Sequence, residues 1–75
     1  MEIKDFVKLF GEQFDDTPPE AFTTETKFRE LEEWDSLTAL SVIAMIDEEF
    51  DKQITGADIR SVSTIEELYN HLKKR

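Results

Sequence analysis

Apolar residues recur at intervals of three and four along much of this chain, which is the spacing of amphipathic helices rather than of strands. Near the N-terminus one such stripe consists of Ile3, Phe6, Val7, Phe10 and Phe14. It predicts a first helix over residues 2–14. Gly11 weakens the last turn, because glycine costs about 1 kcal/mol relative to alanine inside a helix. Pro18 and Pro19 follow and end the helix, since residues before proline avoid the helical region.

The apolar pattern predicts a second helix over residues 36–50, about 22 Å long at its ordinary rise per residue. Steps of about 100° per residue place on its core stripe Ala39, Val42, Ile43, Ile46 and Phe50. The opposite side carries Leu37, Leu40, Ser41, Ala44, Asp47 and Glu48. A small domain can hardly bury both sides, so we expect an exposed apolar strip with an acidic rim, which is typical of a partner surface. Burial of Leu37 under the preceding loop is the alternative.

The segment between these helices, residues 21–33, has weak periodicity and predicts a long ordered loop with one helical turn. We expect Phe28, Leu31 and Trp34 to anchor it on the helices rather than to contact a ligand. After the second helix, residues 57–61 predict a short third helix.

The last helix is predicted to begin with a capping box in which Ser63 and Glu66 satisfy each other's backbone donors. It would bury Ile65, Leu68, Tyr69 and Leu72. It would close with Lys73, Lys74 and Arg75, where the helix dipole is negative. No stretch resembles a strand. The predicted fold is all-α, a small bundle of three longer helices plus one short helix, in a single domain over residues 1–75.

The 75-residue chain has no cysteine, which excludes disulfides and thiolate zinc sites. Any thiol chemistry must therefore be imported. Its longest apolar run, residues 42–46, is far shorter than the roughly 20 residues that cross a bilayer, and Met1 to Asp5 has no signal-peptide core. We expect a monomeric cytoplasmic protein without membrane insertion.

Acidic side chains outnumber basic ones by 18 to 9, for a formal net charge of −9. This balance argues against nucleic acid or an anionic membrane as partner and favours a basic protein. The acids cluster, because residues 30–51 contain eight of them and neither lysine nor arginine. Solubility alone is the alternative explanation of the total charge, but it explains the clustering less well.

Catalysis needs convergent groups, and this sequence supplies few. The lone histidine, His71, is expected to be an exposed helical residue, and Ser36 has no base near it in sequence. Glu32-Glu33 and Glu48-Glu49 are interpreted as solvated faces. The acidic run over residues 47–54 lacks the central glycine and terminal glutamate of a calcium loop. We therefore predict neither catalytic residues nor a metal site, and no enzymatic activity.

The run Trp34-Asp35-Ser36-Leu37 stands where the second helix begins. Asp35 and Ser36 are residue types that cap a helix N-terminus, because their oxygens accept hydrogen bonds from unpaired N–H groups. The Ser36 hydroxyl would lie at the helix start, where the dipole and free N–H groups also favour an attached anion.

This run, the Glu-Glu-Phe end of the second helix, Ile54 beyond it and the total length resemble an acyl carrier protein over essentially the whole chain. The resemblance implies that a phosphopantetheinyl transferase moves 4'-phosphopantetheine from coenzyme A onto Ser36, providing the thiol on which acyl groups ride as thioesters. It also implies that Asp35 caps the helix and helps the transferase to hold magnesium.

On the same resemblance, acyl-processing enzymes such as a ketosynthase and an acyltransferase or ligase would cover Leu37, Leu40, Ser41 and Ala44. They would pair their cations with Asp47 and Glu48. The positions that resemble an acyl-sheltering core are Phe28, Ile54, Ile59, Ile65 and Leu68.

Some residues depart from the pattern of fatty-acid carriers. Glu33-Trp34 stands where small residues are usual, and Thr38 and Ser41 stand where acids are frequent. Thr55-Gly56-Ala57 stands where a proline and acids often begin the third helix. A specialised polyketide, surface-polysaccharide or aminoacyl pathway is therefore an alternative to fatty-acid synthesis. The glycine-rich segment that usually precedes the serine in peptidyl carriers is absent, which argues against that subfamily.

Two other functions remain open. One is a non-catalytic acidic adaptor that binds a basic partner through the second helix, and the other is a hydrolase that uses Ser36 and His71.

Overall fold

Four helices make up the fold in the computed structural model, which describes residues 2–74. Their bounds are α1 Ile3–Gly11, α2 Ser36–Phe50, α3 Gly56–Arg60 and α4 Ile65–Lys73. Short 3-10 turns at Pro19–Ala21 and Phe28–Glu30 interrupt the long connection from α1 to α2. Residues 2–74 contain no strand. The predicted all-α architecture of three longer helices and one short helix is confirmed, while Arg75, predicted to close the last helix, lies outside the described residues.

Aromatic side chains join α1 to the long connection. Phe10 is fully buried, and its ring centroid lies 5.3 Å from Phe28 and 6.4 Å from Trp34. Trp34 also packs edge-on against Phe28, at 5.1 Å. Leu31 is partly buried against the same core. The prediction that Phe28, Leu31 and Trp34 anchor the connection is confirmed, and the chain just before α2 is held in place as a result.

The buried stripe of α2 is rotated from the predicted one. Val42 and Ile46 are fully buried as predicted, but Met45 and Thr38 are buried as well. Ala39, Ile43 and Phe50 are only partly buried. The rotation arises because the connection before α2 packs over the Thr38 side, where it supplies hydrogen-bond partners to that hydroxyl.

The ends of α1 and α2 have different local causes. α1 ends at Gly11, earlier than the predicted residue 14. Phe14 is nevertheless buried, because turns closed by the N–H groups of Gln13 and Phe14 carry it back onto the core. α2 ends at Phe50 because Asp51 adopts the left-handed region, with φ of 55°, which aspartate tolerates better than most residues.

The capping box predicted for the last helix is one residue out of register. Thr64 is the N-cap, and its side chain pairs reciprocally with Glu67 rather than Ser63 with Glu66. The Glu66 N–H instead donates to the carbonyl of Thr24, at 2.9 Å. Because the Thr24 carbonyl accepts the Glu66 N–H, this donor does not pair with the Ser63 side chain. The capping box forms one residue later, between Thr64 and Glu67.

Glu33 ties the two ends of the α1–α2 connection together. Its carboxylate accepts hydrogen bonds from the N–H groups of Asp15, Asp16 and Thr17 at 2.6, 3.0 and 2.9 Å, and from the Thr17 hydroxyl at 2.7 Å. The Thr17 hydroxyl and these backbone donors hold the pKa of Glu33 below its ordinary value. The interpretation of Glu33 as part of a solvated face is wrong for this residue.

We predict that Glu33→Gln lowers the melting temperature at neutral pH, because an amide cannot replace the charge that these donors stabilise. A carboxyl group with a lowered folded-state pKa stabilises the fold above its unfolded pKa, about 4.3. That stabilisation is lost as the pH falls through the folded value. The gap between variant and wild type should therefore begin to narrow as the pH falls below about 4.3 and should close only below the lowered folded-state pKa, in thermal unfolding followed by circular dichroism.

Glu32→Gln is the matched control. Glu32 is exposed and has no hydrogen-bond partner among residues 2–74, so its replacement removes the same charge without touching these contacts. Equal melting temperatures for the two variants at neutral pH would contradict the proposed role of Glu33.

Candidate functional site

Asp35 sets the first turn of α2. It is the N-cap residue in extended conformation, and its Oδ1 accepts a hydrogen bond from the Thr38 N–H at 2.8 Å. This backbone donor, followed by the Thr38 hydroxyl, lowers the pKa of Asp35 below its ordinary value. The predicted capping role of Asp35 is therefore found in the structure, with an ionised carboxylate beside the helix start.

Thr38 is a residue of this site that the sequence analysis treated only as a departure from a family pattern. It is buried, and its Oγ1 lies 3.1 Å from the Glu33 carbonyl oxygen and 3.0 Å from Asp35 Oδ1. The hydroxyl thereby links the segment before the helix to its first turn. The spacing of Asp35 and Thr38, an N-cap aspartate three residues before a threonine, is the signal that could have indicated this contact.

Ser36 is the first residue of α2 and is exposed. Within residues 2–74 its hydroxyl makes no hydrogen bond, so it is accessible to a reacting group from outside the chain. No acidic residue lies in the first turn of α2 itself, although the Asp35 carboxylate is adjacent. An anionic group on Ser36 would thus meet the positive end of the helix dipole, and the exposed hydroxyl fits a phosphodiester-linked group.

His71 does not supply a base to Ser36. It is partly buried rather than exposed as predicted, and its Nε2 lies 3.0 Å from Asp58 Oδ1. Since His71 belongs to α4 and Asp58 to α3, this contact joins those two helices. No hydrogen bond connects His71 with Ser36 in the described part of the chain, so the geometry gives the hydrolase reading no support.

The residues predicted to contact partners all lie exposed on α2: Leu37, Leu40, Ser41, Ala44, Asp47 and Glu48. Leu37 and Leu40 are 74% and 61% exposed and are the exposed large apolar side chains of residues 2–74. The alternative in which Leu37 tucks under the loop is wrong. Ser36, Leu40 and Ala44 follow at intervals of four, so an apolar ridge about 12 Å long starts at the serine.

Acidic side chains flank this ridge at its far end, where Asp47, Glu48 and Glu49 are exposed in the last turn of α2.

Residues 2–74 contain no cluster of three or more metal-ligating side chains. Among the helices described here, none is long and apolar enough to span a membrane.

A protein-family model described as phosphopantetheine attachment site matches residues 4–72. Comparison with curated proteins and with solved structures gives no match. The family match covers α2 and α3 completely and all but one terminal residue of α1 and of α4. Members of this family carry covalently attached 4'-phosphopantetheine and interact with a phosphopantetheinyl transferase and with acyl-processing enzymes. The chain therefore belongs to the acyl carrier protein family, whose domains are generally non-catalytic carriers.

Proposed function

We propose that Ser36 is the attachment point of 4'-phosphopantetheine. The observation that carries this proposal is its exposed hydroxyl, free of hydrogen bonds within residues 2–74, at the N-terminus of α2. Ser36 Oγ would form the new P–O bond as the diphosphate bond of coenzyme A breaks, with 3',5'-ADP leaving and the hydroxyl proton passing to a base on the transferase or to water. When attached, the group supplies a thiol on a flexible arm, where acyl groups are held as thioesters.

Asp35 has two proposed roles. It caps α2 through Thr38, and its ionised carboxylate helps the transferase to hold magnesium near the reacting serine. Asp35 is exposed at the start of α2, next to the serine, and carboxylate oxygens are ligands that Mg²⁺ prefers.

The exposed side of α2 is the proposed docking face for the transferase and the acyl-processing enzymes. Leu37, Leu40, Ser41 and Ala44 would be covered near the serine, and Asp47 and Glu48 would meet lysine or arginine farther along. Such charges steer encounter and fix orientation more than they add affinity, which suits a carrier that must leave each enzyme.

The biosynthetic role is the finer part of the proposal. We place this carrier in the cytoplasm as a monomeric single domain that serves fatty-acid, polyketide or related biosynthesis. The uncharged first turns of α2 support a specialised pathway over primary fatty-acid synthesis. The exposed leucines also suit the alternative function, an acidic adaptor without a prosthetic group.

We predict that the purified chain gains the mass of one phosphopantetheine on incubation with coenzyme A, magnesium and a promiscuous transferase. Intact-mass spectrometry should show no gain for Ser36→Ala, because the accepting hydroxyl is gone. Ser41→Ala is the matched control, since Ser41 is an exposed serine on the same helix, and it should load normally. An unmodified wild-type chain would favour the adaptor, and loading of Ser36→Ala would contradict attachment at this residue.

The two roles of Asp35 can be separated by a pair of substitutions. Asparagine is as good an N-cap as aspartate but carries no charge. Asp35→Asn should therefore lower the melting temperature less than Asp35→Ala does, because the amide keeps the cap but loses the charge that the Thr38 donors stabilise, while both variants should lose most of the loading rate. Equal loading rates for Asp35→Asn and wild type would show that the charge has no part in transfer.

Docking on α2 should be measurable through the transferase reaction. We expect Leu40→Ser to raise KM roughly tenfold, because burying a leucine side chain is worth about 1.5–3 kcal/mol. Replacing Asp47 by Asn and Glu48 by Gln together should weaken the dependence of kcat/KM on salt concentration.

Glu20→Gln combined with Glu25→Gln removes the same charge from exposed positions outside α2. This control pair should leave most of the salt dependence intact. A wild-type kcat/KM that does not respond to salt, or a control pair with the same effect as the α2 pair, would contradict the proposed acidic rim.

A further inference from the structure

A groove of about 550 Å³ runs along one side of α1, between this helix and the segment that follows it. Its apolar lining comes from Val7 on α1 and from Phe14, Pro19 and Phe22 beyond the helix. We call it the α1 groove. None of its lining residues belongs to α2, so it is a surface separate from the proposed docking face.

Gly11 forms the floor of the α1 groove. A Cβ atom at this position would lie 3.0 Å from the Phe22 ring, so a larger residue would crowd the ring that closes the groove. Phe22 is buried, with its ring centroid 4.8 Å from that of Phe14. The groove therefore has a fixed aromatic wall, and the absence of a side chain at Gly11 keeps it open.

Charged side chains border the α1 groove in a defined order. Lys4 and Lys8 line the part nearer the N-terminus of α1, and Glu12 and Asp15 line the other end. Lys4, Lys8 and Glu12 follow at intervals of four and share one side of the helix. Lys4 and Glu12 are about 12 Å apart along the axis. The groove thus presents cations at one end, anions at the other and an apolar surface between them.

These charges contribute little to the fold. Lys4 and Lys8 are like charges four residues apart, an arrangement that slightly destabilises a helix. Within residues 2–74, Lys8, Glu12 and Asp15 make no ion pair, and Lys4 pairs with exposed Glu2 at 3.8 Å. Such surface pairs are weak enough to exchange. All four side chains are exposed and can meet charges of another molecule.

From this arrangement we propose that the α1 groove docks an amphipathic helix of a partner protein. The contact stripe of that helix carries an acid, an apolar residue and a base at successive intervals of four. The acid faces the two lysines, and the base faces Glu12 and Asp15 about 12 Å farther along, because two helices lying side by side have the same rise. The apolar residue enters the groove between them, as anchors do in helix-in-groove recognition.

A second copy of this chain matches the α1 groove less well. Two antiparallel copies of α1 would pair their charges, but each would set a groove against a groove with no apolar side chain to fill either. The exposed large apolar side chains of residues 2–74, Leu37 and Leu40, belong to α2, which has neither lysine nor arginine to face Glu12 and Asp15.

Docking through α1 would leave Ser36 and the exposed side of α2 uncovered. A carrier held in this way stays beside one protein of its pathway at high effective concentration while its α2 face meets others. That use rests on attachment at Ser36, whereas docking itself does not, because it needs no arm.

Three synthetic helical peptides of more than about 15 residues test the proposal. They differ only in one stripe with spacing i, i+4, i+8, which reads Glu–Leu–Lys, Lys–Leu–Lys or Glu–Ser–Lys. In ¹H–¹⁵N spectra of the wild-type chain, the Glu–Leu–Lys peptide should bind most tightly and shift the amide resonances of Val7, Gly11 and Phe22. The serine peptide should bind roughly tenfold more weakly, because the buried leucine is lost.

General attraction to a chain with a net charge of −9 would instead favour the Lys–Leu–Lys peptide. Tightest binding of that peptide to wild type would overturn the proposal, as would shifts confined to α2 or the absence of any shift.

Charge reversal with a matched control tests the lysines. Lys4→Glu with Lys8→Glu should reverse the preference in favour of the Lys–Leu–Lys peptide. Lys27→Glu with Lys74→Glu changes the net charge equally at other exposed positions and should keep the wild-type order. The same order of peptides in both double variants would contradict recognition through the α1 groove.

Two further measurements separate the remaining outcomes. The chain alone should sediment as a monomer, and a dimer that dissociates in the Lys4→Glu, Lys8→Glu variant would assign the groove to a second copy and overturn the proposal. Intact mass after transferase treatment distinguishes this inference from the proposed function. Peptide binding by a chain that accepts no arm would refute attachment alone, and a loaded chain with unchanged groove resonances would refute docking alone.

Discussion

The hydrogen bonds of the Glu33 carboxylate hold together the region on which the proposed site depends. The α1–α2 connection is long and has little regular structure, so its backbone donors need partners from elsewhere in the chain. Glu33 provides them for residues 15–17, at the end of the connection that leaves α1, while Glu33 itself lies at the end that enters α2. The next residue, Trp34, stacks on Phe10 in the core. With these two residues fixed, the following turn has little freedom, and Ser36 begins the helix at the surface.

The acidic residues at the two ends of α2 have different surroundings and therefore different roles. Glu33 and Asp35 are held by local donors that lower their pKa values, so these carboxylates serve the fold and the helix start. Asp47 and Glu48, at the other end of α2, are exposed and can meet the cations of another protein. Between the two groups lies an uncharged ridge with Leu40 at its centre. A partner that matches this face needs apolar side chains near the serine and basic residues about 17 Å farther along the helix.

The sequence alone predicted the features that depend on local periodicity and capping chemistry. It placed α2 at residues 36–50 and left Leu40 exposed, because the 3.6-residue repeat and an N-cap aspartate are both visible within one segment. It missed features that depend on distant partners. Glu33 binds backbone groups 16–18 residues away, and the box at Thr64 forms where it does because Thr24 accepts the Glu66 N–H. His71 was misjudged for the same reason, since Asp58 belongs to another helix. The family resemblance, by contrast, followed from the run Trp34 to Leu37, the Glu-Glu-Phe end of α2, Ile54 beyond it and the total length.

Peptide mapping of the protein isolated from its own cells tests the central claim most directly. The account predicts that tandem mass spectrometry finds 4'-phosphopantetheine on the peptide that contains Trp34 and Leu37, with the fragment ions placing it on Ser36. A phosphopantetheine group on any other residue, or a native chain that carries none under conditions in which its pathway is active, would contradict it.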